Sequence, residues 1–283
     1  MKKINLQLYS FGNDSTLSLL EKIKCAGEIG FTGVEFARGY DGIEAADLKK
    51  ALDDAGLTAE SAHVGLPFME QDIPYLAQIG CKWVICPMAA FNTVEETKEL
   101  ADDLNRLGDL AAKYGMKVGY HNHTDEFYKV DGKYLQDWLI EFTNPETVDI
   151  ELDCGWASAA GIDPVEYINT HAGRIAGIHI KENSDVVGAS LPRSRREPDF
   201  WSTLERDENG KPIIPPEFLK LMEERDRLNV AQGTGIVDWK AIKAAAESHR
   251  DDVIFIVERE CSYGGMERID CLKEDIVWLH ENL

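Results

Sequence analysis

Eight times along the chain a short apolar segment is followed by an amphipathic stretch of helical period, and this rhythm limits the fold more than any other feature. The strand segments are residues 4–9, 33–36, 58–64, 83–86, 117–122, 148–152, 175–180 and 253–257. Helices are expected from about 14 to 29, then over 44–55, 69–79, 93–114, 135–142, 164–170, 239–248 and 266–282. Gly30, Gly56, Gly80 and Gly115 stand where helix C-caps belong, and Thr93 with Glu96 three residues on reads as a capping box. Eight βα units predict an α/β fold, a (β/α)8 TIM barrel forming a single domain over 1–283. A doubly wound open sheet is the rival. It would place a glycine fingerprint after the first strand, where this chain has Ser10-Phe11-Gly12-Asn13.

The rhythm breaks once. Residues 183–232 are charged and carry Pro192, Pro198, Pro212, Pro215 and Pro216. They read as an extended βα loop after strand seven, with a helix near 217–227. Loops of this length on a barrel face are lids or binding loops; a tolerated surface insertion is an equal reading. Arg193, Arg195 and Arg196 in this loop either gate an anionic substrate or form a solvated cluster, and the second reading is preferred.

Side chains alternate across a strand. The even positions are apolar: Ile4, Leu6 and Leu8; Val34 and Phe36; Val118 and Tyr120; Val148, Ile150 and Leu152; Ile178 and Ile180. These should face the helices. The lumen then receives Asn5, Gln7, Gly33, Glu35, Ala59, Ser61, His63, Gly119, His121, His123, Glu151, Asp153, Gly177, His179 and Lys181. In strand eight the parity flips, with Val253, Phe255 and Val257 outward and Glu258 inward. Small and polar residues therefore line the interior, and ionisable ones gather at the C-terminal strand ends, where barrels of this type build their active sites. Burying such groups without a partner or a cation would cost several kcal/mol each.

Composition narrows the partners. Thirty basic against 51 acidic residues give a net charge of −21. Such a surface repels phosphate backbones and anionic lipid, so neither nucleic acid nor membrane is an expected partner. The apolar run after Met1-Lys2-Lys3 is broken early, which argues against a signal peptide, and no apolar run approaches a membrane span. Six cysteines without a CxxC pair suggest free thiols in a cytoplasmic protein.

Of seven histidines, His63, His121, His123 and His179 fall at strand C-termini, together with Glu126, Asp153 and Glu258. His171, His249 and His280 fall on helices or their ends. Imidazoles and carboxylates together suit one divalent ion of Mn, Zn, Fe, Co or Mg type. Such a site polarises a carbonyl and a neighbouring hydroxyl. A carboxylate or imidazole then moves the acidified carbon-bound proton, and Lys181 holds an enolate or other substrate oxygen. Cys154 reads as a packing residue.

The segments Leu6-Gln7-Leu8-Tyr9-Ser10, Gly33-Val34-Glu35-Phe36, Tyr120-His121-Asn122-His123-Thr124-Asp125-Glu126-Phe127, Glu151-Leu152-Asp153-Cys154-Gly155-Trp156, His179-Ile180-Lys181, Gly233-Thr234-Gly235-Ile236-Val237-Asp238-Trp239 and Val257-Glu258-Arg259-Glu260 resemble the xylose isomerase-like TIM barrel superfamily, within it the sugar phosphate isomerase/epimerase group. The resemblance spans nearly the whole chain. It implies one divalent ion, manganese first, held by Glu, Asp, His and Glu from four strands. Asp153, His179 and Glu258 match three of these. His121-Asn122-His123 stands where many members have Glu-Asn-His, so the fourth ligand is His121 or Glu126, with Glu126 preferred because it keeps the carboxylate count. The acid/base pair implied is Glu258 with His121 or His123. His63, Lys181, Trp156 and Glu35 are the substrate-binding candidates. Trp156 and Phe127 either pack on a sugar ring or simply fill the core. The Gly233-Thr234-Gly235 turn either meets an oxyanion or leads into a helix capped by Asp238.

The expected activity is a divalent-metal-dependent sugar isomerase or epimerase that abstracts a proton beside a carbonyl. The alternatives are a keto-sugar or keto-glycoside lyase or hydratase on the same barrel, and a non-catalytic sugar-binding barrel. The net charge of −21 argues against the endonuclease chemistry found elsewhere in the superfamily. The resemblance also implies a homodimer or homotetramer.

Overall fold

Strands with one apolar face and one polar face, each followed by a helix that returns the chain, leave no exposed edge only if the sheet closes on itself. In the computed structural model, which describes residues 3–198, 200–207, 210 and 212–283, eight of them do so. They are β1 (Asn5–Gln7), β2 (Gly33–Ala37), β3 (Thr58–His63), β4 (Trp83–Cys86), β5 (Lys117–His121), β6 (Val148–Asp153), β7 (Ile175–Ile180) and β8 (Ile254–Val257). Each pairs in parallel with the next, and β8 pairs back onto β1. The helices are α1 (Leu19–Ile29), α2 (Ala45–Ala55), α3 (Met69–Ile79), α4 (Val94–Ala112), α5 (Leu135–Phe142), α6 (Cys154–Ala159), α7 (Pro164–Thr170), α8 (Phe200–Thr203), α9 (Pro216–Asp226), α10 (Trp239–His249) and α11 (Arg268–Asn282). Among the described residues no helix is long and apolar enough to cross a membrane. All six cysteines are free thiols.

The alternation places side chains as expected, with one exception. Leu6, Val34, Phe36, Val118, Tyr120, Ile150, Leu152, Ile178, Ile180, Phe255 and Val257 all join the core between barrel and helices. Ala59, expected in the lumen, joins that outer core too. The β2–β3 ladder skips a residue between the pairs Val34–Ala59 and Glu35–Ser61, so Glu60 is a bulge and the strand changes parity there.

Local hydrogen bonds explain the shifted boundaries. β1 stops at Gln7 rather than near residue 9 because the Gln7 side chain accepts from Tyr9 N at 3.0 Å and starts a 3-10 turn over Leu8–Phe11. α1 starts at Leu19 rather than near residue 14 because Ser18 and Glu21 form a reciprocal capping box. It ends at Gly30, whose φ of 113° suits a residue without a Cβ. α4 ends at Ala112, two residues short of Tyr114. An additional antiparallel hairpin, Lys129–Val130 with Lys133–Tyr134, turns through Asp131 and Gly132, both at positive φ.

The segment after β7 folds back over the C-terminal face. Its neck is closed by a bridge between Asn183 and Asn229, with Ser184 N donating to Leu228 O at 3.0 Å. From there it crosses α6, where Val187 N and Gly188 N donate to Ala159 O, and Ser190 meets Thr124 at 2.8 Å. It then lands on α4. Ser194 Oγ and Arg196 both donate to Glu96, Arg196 also reaches Glu99 at 2.7 Å, and Arg195 reaches Asp103 at 2.8 Å. Arg195 and Arg196 are thus spent on α4 carboxylates, and Arg193 pairs with Glu197 at 3.3 Å. The loop is a strap, and Arg195 and Arg196 hold it to α4.

Candidate metal centre

The lumen is closed at its N-terminal end by Trp83, Ile85, Ala176 and Ile254. Above them the interior positions turn ionisable. β2 delivers Glu35, β3 His63, β5 His121, β6 Glu151 and Asp153, and β7 His179; Glu258 follows β8 directly. One ligand atom each from His121, Asp153, His179 and Glu258 lies within 4.8 Å of the others, and the same holds for a lower group of His63, His121, Glu151 and His179.

The upper group has the chemistry of a divalent-cation site. Two imidazoles and two carboxylates suit Mn, Fe, Co or Zn. Asp153 uses Oδ1 to accept from Trp156 N at 2.7 Å and so caps α6, while its buried Oδ2 has no hydrogen-bond partner. A buried carboxylate oxygen without a partner is costly unless a cation meets it. His179 Nδ1 faces Glu258 Oε2 at 3.3 Å. Without an ion, protons do the balancing. Burial and the nearby Glu258 push the Asp153 carboxyl up to about 7, against the pull of Lys181 and His179. Burial opposes the charge on His179, but Glu151 and Glu35 hold its pKa well above the usual imidazole range. Burial and the neighbouring His179 push His121 down to about 3. Burial would raise Glu258, yet the His179 hydrogen bond and the charges of His179 and Lys181 keep it well below the carboxylate range. A cation entering here displaces protons, as metal ligation requires.

Around this group stand the residues of the rim. Lys181 is buried, its Nζ 2.9 Å from Glu260 Oε1 and 4.6 Å from the centre of the Trp156 ring. The half-buried His123 ring lies 5.1 Å from that of His121 and 5.9 Å from that of Trp156. Asn122 ties β5 to β6: its Oδ1 accepts from Asp153 N at 2.9 Å and its Nδ2 donates to Asp153 O at 3.3 Å.

Three of the expected site residues lie in surroundings the sequence does not announce. Glu126 stands outside both donor groups. A 3-10 turn over Asp125–Phe127 folds its carboxylate away from the lumen, where it accepts from Tyr120 Oη and His123 N, each at 2.7 Å. Burial and Asp125 push it up to about 7 despite those bonds. His121, and not Glu126, stands with Asp153, His179 and Glu258 in the upper donor group. Glu35 is fully buried under His63 and His179, bonded to Gln7 and Ser61, and has no surface for a substrate. Trp156 is 1% exposed with Lys181 over its face, so it packs the rim, as Phe127 packs against Tyr134 and Tyr167. Glu151 and Asn122 carry no assigned role in the sequence reading. Their signals were present: Glu151 shares the inward face with Asp153, and Asn122 lies between two inward histidines.

The glycine turn before α10 is architectural. The buried Glu182 accepts from Gly233 N at 2.8 Å, Val237 N at 3.3 Å and Trp239 Nε1 at 2.7 Å, and Asp238 caps the helix through Ala241 N. A Cβ on Gly235 would sit 2.1 Å from Asn183 O, which excludes any side chain there.

The profile of the family described as Xylose isomerase-like TIM barrel matches residues 23–282, and the chain belongs to that family. It is similar to the inosose dehydratase of Geobacillus thermodenitrificans (strain NG80-2), at 27% identity over 267 residues that cover 84% of this chain and 81% of that protein. Its fold is shared by a sugar phosphate isomerase/epimerase from Parabacteroides distasonis ATCC 8503, with a TM-score of 0.74 at 21% identity over 98% of this chain and 93% of that one. The IOLI protein, solved with a bound zinc atom, has a TM-score of 0.71 at 14% identity over 99% of this chain and 97% of that one. The chain is therefore an enzyme of the xylose isomerase-like type, with a histidine–carboxylate cluster consistent with a divalent-metal site.

Proposed function

We propose that this enzyme is a lyase that removes water from a small polyhydroxylated ketone, an inosose or a related keto-sugar. The observation that carries this reading is the likeness to inosose dehydratase across 84% of the chain, joined to the four-donor group at the C-terminal mouth of the barrel. Sugar isomerisation or epimerisation is the second reading. It is supported by the shared fold with a sugar phosphate isomerase/epimerase and by the common first step, loss of a proton beside the ketone.

His121, Asp153, His179 and Glu258 would hold one divalent ion. Replacing a carboxylate by His121 makes the donor set richer in nitrogen, which favours Mn, Zn, Fe or Co over Mg. The bound ion supplies Lewis acidity to the ketone oxygen and its neighbouring hydroxyl. The residues of the chain do the rest. Lys181, buried and paired with Glu260, adds positive potential beside the donor group, which favours an enolate without contact to it. His123, at the rim beside the donor group, or Glu258 takes the proton from the carbon next to the ketone. The adjacent carbon–oxygen bond then breaks, a carbon–carbon double bond forms, and the departing hydroxide takes a proton from the same acid/base pair to leave as water. His63, near the base of the cleft and 11% exposed, is the remaining substrate contact.

The test is incubation of metal-loaded enzyme with an inosose in deuterated water, followed by proton NMR. Growth of a dehydrated product supports the lyase reading. Deuterium exchange or inversion without loss of water favours the isomerase or epimerase reading. Neither change, in protein shown to hold one ion per chain, would sink both.

A further inference from the structure

Beneath the four donors lies a layer of carboxylates that the proposed chemistry does not use. Glu151 Oε2 is 2.8 Å from His63 Nε2, 3.0 Å from His121 Nδ1 and 3.1 Å from His179 Nε2. Glu35 Oε1 is 2.9 Å from His179 Nε2 and 3.0 Å from His63 Nε2, and accepts from Gln7 Nε2 at 2.7 Å; Glu35 Oε2 accepts from Ser61 Oγ at 2.6 Å. An imidazole has two nitrogens. His121 commits Nδ1 to this floor and His179 commits Nε2. What each ring keeps for the mouth of the barrel is the opposite nitrogen, and His179 Nδ1 indeed faces Glu258.

Two backbone irregularities, with extra residues Glu60 on β3 and Ala176 on β7, face the strands that carry these carboxylates. The barrel ladder shifts register at two of its strand pairs, between Val34 and Glu35 in one and between Ile150 and Glu151 in the other. Bulges re-aim side chains beside functional sites. Opposite Glu151 stands Gly177, where an added Cβ would come within 2.9 Å of Glu151 Cγ. The glycine provides the space in which Glu151 lies.

We propose that Glu151 and Glu35 are positioning residues that fix the ring orientation and the proton-bearing nitrogen of His121 and His179, so that His121 Nε2 and His179 Nδ1 are presented to the ion. This rests on the reading that His121, Asp153, His179 and Glu258 form the metal site. The competing role for the layer is a second ion held by His63, His121, Glu151 and His179. It is disfavoured because filling both sites would oblige His121 and His179 to bridge two cations through both nitrogens.

The experiment is calorimetric titration of chelator-stripped protein with Zn2+, together with 15N NMR of the imidazole nitrogens. Wild type is expected to bind one ion per chain, with opposite nitrogens ligated in the two rings. Glu151→Gln keeps the volume and removes the charge, and should weaken Zn2+ binding by about 10- to 100-fold and mix the tautomers of both rings. Glu35→Gln touches only His179 of the two ligands and should have the smaller effect. Gly177→Ala keeps every charge, moves Glu151, and should fall between wild type and Glu151→Gln. It also carries the test if Glu151→Gln does not fold. Wild-type affinity and tautomers in Glu151→Gln would overturn the proposal. So would two ions per chain with one lost in that variant, which would mark the lower layer as an ion site. Wild type that binds no ion would overturn the metal reading itself, and this inference with it.

Discussion

The two ends of one lumen are filled with opposite materials. At the N-terminal end Trp83, Ile85, Ala176 and Ile254 pack together, and the carboxylate beside them is paired on both oxygens: Trp83 Nε1 donates to Asp149 Oδ2 at 2.9 Å, and Arg250 meets Asp149 Oδ1 at 2.8 Å. At the C-terminal end buried imidazoles and carboxylates crowd together, and Asp153 Oδ2 has no partner. The lower end is what a barrel looks like when only stability is asked of it. The upper end carries a cost in stability that a bound cation would offset.

That contrast can be broken most directly at Asp153. Asp153→Asn keeps an oxygen to cap α6 but removes the charge. Its expected effect is loss of the bound ion in elemental analysis and a fall in turnover of about 1,000-fold, or about 4 kcal/mol of transition-state stabilisation. The melting temperature of the ion-free protein should hold or rise, because a buried charge has gone. A clear drop in apo stability with the ion retained would reverse the assignment of the two ends. The mirror experiment is Trp83→Ala. It leaves a cavity and an unmatched Asp149 oxygen, and should cost about 3–5 kcal/mol in urea unfolding while the ion stoichiometry stays at that of wild type.

The same contrast explains what the sequence could reveal. Strand parity is a property of single residues, so inward Glu35, His63, His121, Glu151, Asp153 and His179 could be read from alternation alone. Ala59 could not, because the bulge at Glu60 is a property of two paired strands. Nor could the direction of Glu126. Three residues beyond His123 it is close enough to return to the lumen, and only the 3-10 turn with its bonds to Tyr120 and His123 sends it the other way. Counting carboxylates favoured Glu126 over His121; geometry favours the histidine already on the strand. The capping box at Ser18 and Glu21 and the Asp131-Gly132 turn are local patterns that the expected boundaries pass over, the first because the helix is expected from about residue 14 and the second because the strands it joins are only two residues long. The landing of the strap on α4 joins residues about 100 positions apart, such as Arg196 and Glu96, and no local pattern announces it.

That landing separates the strap from the barrel beneath it and gives the smallest of the expected effects. Glu96 is buried, which alone would raise its pKa, but the Ser194 hydroxyl, the Asn92 and Arg195 amides and the Arg196 guanidinium bring it down to about 2 from an ordinary 4.5. A carboxylate depressed in the folded state stabilises it fully above the unfolded pKa and loses that contribution as the pH falls through the folded one. The clamp should therefore be intact at neutral pH and weaken progressively between about 4.5 and about 2. Ser194→Ala should cost about 1 kcal/mol at neutral pH, and Glu96→Gln should mimic the acid state without acid. The readout is hydrogen exchange of residues 184–198, run from neutral pH downward and corrected for the intrinsic rate. Faster opening of the strap in mild acid, with the barrel strands still protected, is the expected result. Strap and barrel losing protection together would mean that the loop is an integral part of the barrel fold, and Glu96 would then be one more buried carboxylate among many.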